Sequence, residues 1–381
     1  MAFFKKEKIN NKRIIHVGSL KFCYTKHPVK TFLLSLRLKQ DKTSIVEFYL
    51  IDAFEIYHFL PIYKELLKQG INSRIVAEPC EINSVGGWFD YKTAIKILKD
   101  LNIDYCTKCN PDAKISITTQ KADVLCKYQN LKVNFSYGFG FTKNYFINSK
   151  DAVEGFDIKF VHGSYPKKII EKYRTPAKVV SFGYPKYQKF LENPPSRTSL
   201  LKDLKINTNK QIITYFPTWD EDSSIQKFSE VFNKLREKYF IITKPHHCTF
   251  RLPDKKSDLE TIYRISDLVL DGNYDFAKAT ILGDIAVCDI KSGSSCEVPY
   301  LNKSIPVILL TPFSNLDRYN EASSKYFEIV YEPSSLISKI KDIENKGVNR
   351  DKIDSFINEV YENVPIQKTV DFLIDLTKRS K

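Results

Sequence analysis

Residues 284–310 read DIAVCDIKSGSSCEVPYLNKSIPVILL, and this stretch decides the fold. An apolar run of strand length ends at Asp289, and a Gly-Ser turn follows. A helix begins near Ser295, and SIPVILLT opens a second apolar run at Ser304. Strand, polar turn, helix and strand in so few residues make a right-handed parallel crossover. The turn aims backbone N–H groups and the positive end of a helix at one spot, beside the hydroxyls of Ser292, Ser294 and Ser295 and the bare backbone of Gly293. A diphosphate fits there without a P-loop, and Asp289 and Glu297 are candidates to hold ribose or other donor hydroxyls. The same residues also suit a plain helix cap made by Ser294 or Ser295.

The pattern repeats outward from this stretch. Upstream come QIITYFPTW (211–219), a helix over 223–238, YFIITKPH (239–246), a helix over 259–266, DLVLDG (267–272) and a helix over 274–282. The first half has the same alternation. SIVEFYLID (44–52) precedes a helix over 53–69, where apolar residues recur at helical spacing until Gly70. INSRIVAE, a helix over 92–101, AKISITTQ, ADVLCKY (122–128), KVNFSYGFGF (132–141), FDIKFVHGS (156–164), a helix over 165–173 and KVVSFGYPK (178–186) follow. A short strand is expected at Arg13–Val17. Two blocks of alternating strands and helices predict an α/β protein of two doubly wound, Rossmann-like parallel sheets facing a cleft, the GT-B type. The two-proline segment LENPPSRTS (191–199) marks the linker. The boundaries expected are 1–192 for an acceptor-side domain that opens with a basic segment at 1–42, and 193–348 for a nucleotide-donor domain. An amphipathic helical tail over 349–381 is expected to cross back to the first domain.

Composition narrows the function. The 381 residues carry 59 Lys+Arg against 45 Asp+Glu, a formal charge of +14. Such a field attracts phosphates, anionic headgroups or nucleic acid. No zinc finger, RNA-binding aromatic signature or KH loop accompanies it, so nucleic acid is not the expected partner. A nucleotide-diphosphate donor and the anionic surface of a membrane are, with attachment peripheral because no run of 18 apolar residues occurs. The first residues lack the apolar core of a signal peptide, which points to the cytoplasm, at the inner face of the membrane. Eight cysteines are scattered, and Cys106-x-x-Cys109 has no second pair to complete a zinc site, so no metal or other cofactor is expected.

Ligands of such sheets sit beyond the carboxyl ends of the strands, so chemistry is sought just after them. There lie Thr218 in Phe216-Pro217-Thr218-Trp219, and Lys244 and His246 in Lys244-Pro245-His246-His247. The last pair offers a fixed charge and a titratable donor for phosphate oxygens. In the first half, Gly138, Gly140 and Lys143 follow one strand as acceptor-side candidates, with Tyr137 beside them a catalytic candidate by position. His162 follows another as a candidate base.

In this order the motifs resemble those of the CDP-glycerol glycerophosphotransferase family, which includes teichoic-acid primases, polymerases and related capsule transferases. The resemblance runs from about Thr43 to Thr311. It rests on Gly183-Tyr184-Pro185, Phe216-Pro217-Thr218-Trp219, Lys244-Pro245-His246, Asp289 to Ser295 and Asn302-Lys303-Ser304-Ile305-Pro306. It implies a GT-B transferase that takes a CDP-linked donor, CDP-glycerol or a similar CDP-polyol, to a glycan or lipid-linked acceptor. His246 would meet the donor phosphates or assist proton transfer, and Ser294 and Ser295 would bind the pyrophosphate. Two departures stand out: Tyr137 takes the place of the family's histidine before a glycine, and Lys291-Ser292-Gly293 is inserted before the serine pair. A nucleotide-sugar glycosyltransferase of the same fold is the close alternative, and an epimerase of that architecture a more distant one. A degenerate, non-catalytic nucleotide- or glycan-binding relative is a third.

Overall fold

The computed structural model describes residues 42–77, 91–120, 122–125, 130–137, 153–172, 175–313 and 323–379, together with three strand backbones within 4–25. Those three, β1 (Phe4–Ile9), β2 (Lys12–Val17) and β3 (Leu20–Thr25), form a small antiparallel sheet of their own. The strand expected at Arg13–Val17 is β2.

The first large sheet has seven parallel strands: β4 (Val46–Tyr49), β5 (Ser73–Val76), β6 (Tyr105–Cys106), β7 (Ile115–Thr118), β8 (Leu131–Phe135), β9 (Ile158–Val161) and β10 (Lys178–Ser181). Their order is β10-β9-β8-β7-β4-β5-β6. The order reverses between β4 and β7, which places a crevice beyond the ends of those two strands. The second sheet comprises β11 (Ile212–Phe216), β12 (Phe240–Thr243), β13 (Leu268–Val269), β14 (Ile285–Asp289), β15 (Val307–Leu310) and β16 (Glu328–Val330), all parallel in the order β13-β12-β11-β14-β15-β16. Its reversal falls between β11 and β14, where FPTW and the serine turn begin. The two sheets make a GT-B fold, as the sequence predicts.

Alternation along a strand divides each core into two layers. Ile212 and Phe216 point to one side of the second sheet, with Val298 and Phe356, while Ile213 and Tyr215 point to the other, with Phe228 and Leu336. Beneath the first sheet an aromatic train runs from Phe59 through Phe48 and Phe135 to Phe160, with ring centroids 5.2–6.2 Å apart.

The predicted strand at ADVLCKY is not formed where it is described: Ala122–Leu125 is one turn of 3-10 helix, with Ala122 and Leu125 buried against Tyr49 and Phe156. A lone apolar run cannot distinguish a strand from a packed turn. The linker region is also more helical than its prolines suggest. Helices occupy Gln188–Glu192 and Arg197–Asp203, the second capped by Ser196 Oγ, which accepts from Ser199 N–H at 3.1 Å.

The end of the chain returns to the first sheet. Helix Arg350–Val360 lies against helix Ser164–Glu171, and Glu362 N–H donates to His162 O at 2.9 Å. Helix Ile366–Arg379 packs on helix Glu55–Lys68 and buries Val370 and Leu373 completely in the first core. Each such side chain contributes about 1.5–3 kcal/mol. The crossing is tight: a Cβ on Gly163 would stand 2.3 Å from Val360 O, and one on Gly183, at φ +68°, 2.9 Å from Glu362 O. Only glycine fits either position.

Candidate active site

The second crevice is assembled around Asp289, at the end of β14. Its carboxylate has no exposure. Oδ2 accepts Thr218 N–H at 2.7 Å and Ser224 N–H at 3.2 Å, and Oδ1 accepts the Ser224 hydroxyl. Burial pushes its pKa up to about 7, against the pull of these donors. Asp289 therefore ties the loop after β11 to the sheet, with its lone pairs occupied by protein donors rather than ribose. Thr218, expected at the donor, serves this clamp through its backbone.

The clamp carries the Phe216–Trp219 loop, and this loop touches both neighbours. Ser294 Oγ reaches Phe216 O at 3.4 Å, and the Trp219 ring stacks on His246 at 6.0 Å. Within the serine turn, Ser294 Oγ donates to Ser292 Oγ at 2.8 Å and Ser295 Oγ to Ser292 O at 2.7 Å. Ser295 is thus turned inward onto a carbonyl. The helix cap expected of Ser294 or Ser295 is not formed, since the N-cap is Gly293 with no side-chain bond. Ser292 and Gly293 keep partial exposure at the mouth. Of the four, these two lie best to meet a diphosphate.

His246 begins helix His247–Arg251 and caps it, its Nδ1 accepting Cys248 N–H at 3.2 Å. A neutral ring whose Nδ1 accepts must carry its proton on Nε2. His246 therefore presents a donor suited to a phosphate oxygen. Ligand atoms of His246, His247 and Cys248 lie within 4.8 Å of one another, a spacing a metal ion could bridge. A metal needs a lone pair from each ring, and the Nδ1 bond leaves His246 offering N–H instead, so the arrangement suits an anion better. Lys244 is buried, its ammonium donating to Gly272 O at 3.2 Å. Burial pushes it down to about 8 while Asp271 and Asp275 pull it up.

Glu297, the other candidate for donor hydroxyls, faces away from the mouth. It sits one turn into helix Ser294–Leu301 and accepts the hydroxyls of Tyr184 and, at 3.2 Å, Tyr187. Those tyrosines belong to the Gly183-Tyr184-Pro185 turn, so Glu297 bonds the serine-turn helix to the end of the first domain. Tyr300 and Tyr361 close the cluster, stacked at 4.3 Å.

The first crevice has its own buried carboxylate, Glu55. Oε2 accepts Ile51 N–H at 2.6 Å and Asp52 N–H at 2.7 Å; Oε1 accepts the Thr119 hydroxyl and Gln120 Nε2 at 2.9 Å. Burial pushes its pKa up to about 7. Gln120 O accepts Asn134 Nδ2 at 2.8 Å, and Asn134 Oδ1 accepts the ammonium of buried Lys159, pushed down to about 7 by burial. Sequence reasoning passed over Glu55, although Asp52-x-x-Glu55 is the spacing of a capping box.

His162 follows β9, as expected, but is walled in. Its ring stacks on Phe182 at 5.2 Å and lies 4.3 Å from Tyr184. Nδ1 donates to Gly183 O at 2.8 Å, so its Nε2 bears the lone pair, the reverse of His246. Burial lowers its pKa to about 4. The ring is a base in tautomer only: at 1% exposure it braces the domain junction rather than opening onto the crevice. Tyr137 is half-buried, with its ring 6.0 Å from His58 and 4.8 Å from Phe54. His58 was not singled out in the sequence because it lies within the apolar stripe of its helix; desolvation holds it well below the usual histidine pKa. The acceptor candidates Gly138, Gly140 and Lys143 lie outside the described residues.

Two parallel α/β sheets, each with a switch point, are the architecture of GT-B enzymes. Solved structures of that architecture are similar along most of their length. The wall teichoic acid polymerase TagF, in a structure soaked with CDPG, matches at TM-score 0.57 and 16% identity over 91% of both chains. A glycosyltransferase from Rickettsia africae matches at 0.55 and 15%, over 88% of this chain and 100% of that one. The UDP-GlcNAc 2-epimerase of Neisseria meningitidis bound to UDP-GlcNAc matches at 0.61 and 12%, over 87% and 99%. No curated protein matches by sequence. The profile of the CDP-Glycerol:Poly(glycerophosphate) glycerophosphotransferases matches residues 79–363. The chain belongs to that family and is a transferase.

Proposed function

We propose that the protein transfers a polyol phosphate from CDP-glycerol, or a similar CDP-polyol, to a hydroxyl of a growing cell-surface glycopolymer such as teichoic acid, capsule or lipopolysaccharide. The observation that carries this reading, beside family membership, is the Phe216–Trp219 loop. It joins the Ser292–Gly293 mouth to the N–H face of His246 across the second switch point.

The acceptor oxygen attacks the phosphorus bearing the polyol, that P–O bond forms, and the bond to CMP breaks in line. Ser292, Gly293 and the start of helix Ser294–Leu301 hold the diphosphate, and His246 Nε2–H stabilises the departing CMP phosphate. Residues 1–192 would supply the acceptor side, with Gly138, Gly140 and Lys143 at the polymer. Tyr137 would orient the acceptor hydroxyl beside His58, and the proton passes to solvent water as the P–O bond forms, because a neutral phenol and a desolvated imidazole are poor bases. His162 steadies the junction behind them. Residues 193–348 would form the donor domain, and 349–381 tie it to the first.

The described residues contain no helix long and apolar enough to cross a membrane. The charge of +14 supports peripheral attachment to the anionic inner face, where a lipid-linked acceptor would be met. The test is a thermal-shift screen with CDP-glycerol, CDP-ribitol, CMP and the common UDP-, GDP- and CMP-sugars. Ligand at 100 times Kd adds about 2.7 kcal/mol to folding. A shift with a cytidine polyol that His246→Ala loses supports the reading. A shift with a nucleotide sugar alone replaces it with a glycosyltransferase, and no shift at all moves the protein to the non-catalytic relatives.

A further inference from the structure

The serine turn begins with Lys291, a residue that the proposed reaction leaves unused. Its ammonium lies 3.0 Å from Asp222 Oδ1 and 5.2 Å from the centroid of the Phe313 ring. Lys291 follows β14 and Asp222 belongs to the loop after β11, so the ion pair spans the two lips of the switch-point crevice. Both side chains are partly exposed, at 25% and 20%, and Phe313 beside them is 43% exposed. The setting is unusual for an anion site. Asp222 ends the run Asp220-Glu221-Asp222; desolvation makes its carboxylate harder to ionise, Lys291 favours the charge, and the acidic neighbours oppose it more weakly.

We propose that Lys291 is a donor-binding residue for which the carboxylate of Asp222, its ion-pair partner, competes with the donor phosphate. Resting on the CDP-polyol reading, the inference gives that site an internal competitor. Lys291 immediately precedes the Ser292–Gly293 mouth, and rotating its flexible stem exchanges one oxyanion for another. A diphosphate carries more negative charge than one carboxylate and also gains the helix end, so it wins the exchange. A ligand with too little charge leaves the Asp222–Lys291 pair closed across the crevice. The pair therefore discriminates for a diphosphate and against CMP, the leaving product, which favours release after transfer.

Isothermal titration of CDP-glycerol and CMP tests this with the full chain. Removing the competitor in Asp222→Asn should tighten CDP-glycerol about two- to fivefold, the range of a partly exposed pair. Lys291→Met should weaken it about tenfold or more, as for a charge-assisted phosphate contact, with CMP affected less. Asp222→Asn added to Lys291→Met should gain nothing, and Lys291→Arg should keep most of the affinity. Melting of each variant without ligand reports any loss of fold, and Lys291→Arg tests the charge if Lys291→Met is unstable. Equal gains from Asp222→Asn with or without Lys291, or a Lys291→Met protein that binds like wild type, would overturn the competitor while leaving the donor reading intact. A wild type that binds no cytidine diphosphate ligand overturns both.

Discussion

The two switch points solve one structural problem with different surroundings. Each opens a gap where neighbouring strands lead to opposite sides of the sheet, and each gap is laced by a buried carboxylate, Glu55 in the first and Asp289 in the second. Each carboxylate accepts two backbone N–H groups and one hydroxyl, and burial pushes each up to about 7. Beyond the carboxylates the likeness ends. Glu55 continues into a polar chain through Gln120 and Asn134 to buried Lys159. Asp289 carries instead a loop that links a serine turn to an imidazole N–H. The same device stabilises both gaps, so the chemistry of each must reside in what it holds up.

That comparison can be broken most forcefully by removing the carboxylates. Asp289→Leu and Glu55→Leu each strand several buried donors and should cost about 3 kcal/mol or more in urea unfolding. The milder amides should separate the two roles. Asp289→Asn should weaken CDP-glycerol binding, whereas Glu55→Gln should leave it within about twofold, since no donor contact depends on it. Next in size is His246→Ala, which should lower transfer, followed as CMP release, by about 10²-fold, at the low end of proton-donor effects. The corresponding His162→Gln should register mainly as lost stability.

A pH series sharpens the likeness. A carboxyl whose folded pKa lies near 7 and whose unfolded value is about 4 stays protonated longer in the fold, so stability falls as pH rises through that window and levels off above it. Wild type should lose more between pH 5 and 8 than Glu55→Gln or Asp289→Asn, measured as urea midpoints. The smallest effect belongs to Ser292→Ala, which should weaken CDP-glycerol about fivefold, the worth of one hydrogen bond of about 1 kcal/mol.

Much of the architecture was legible in the sequence. The parallel strands read as apolar runs because both of their faces are covered, and the residues after them marked the crevice. The candidate site is drawn from the residues after the strands, and the folded chain changes the roles of several of them. Asp289 and Glu297 occur where a donor contact belongs, yet their partners, Ser224 and Tyr184, lie 65 and 113 residues away. No local pattern shows that those lone pairs are already occupied. His58 was hidden for the opposite reason, because a histidine on an apolar helix face looks like part of the core. The tautomers of His246 and His162 follow from single backbone bonds that only the folded chain supplies.

The return of the chain at Val360–Val364 has a mechanical consequence. It runs against the Gly163 and Gly183 backbones, beside the first passage between the sheets, so the domains are moored by two adjacent lines rather than one. A body on one mooring can swivel freely, whereas two side by side leave it a door's motion about the line through them. Opening and shutting of the cleft would then keep the two switch-point crevices in the same azimuth through every cycle.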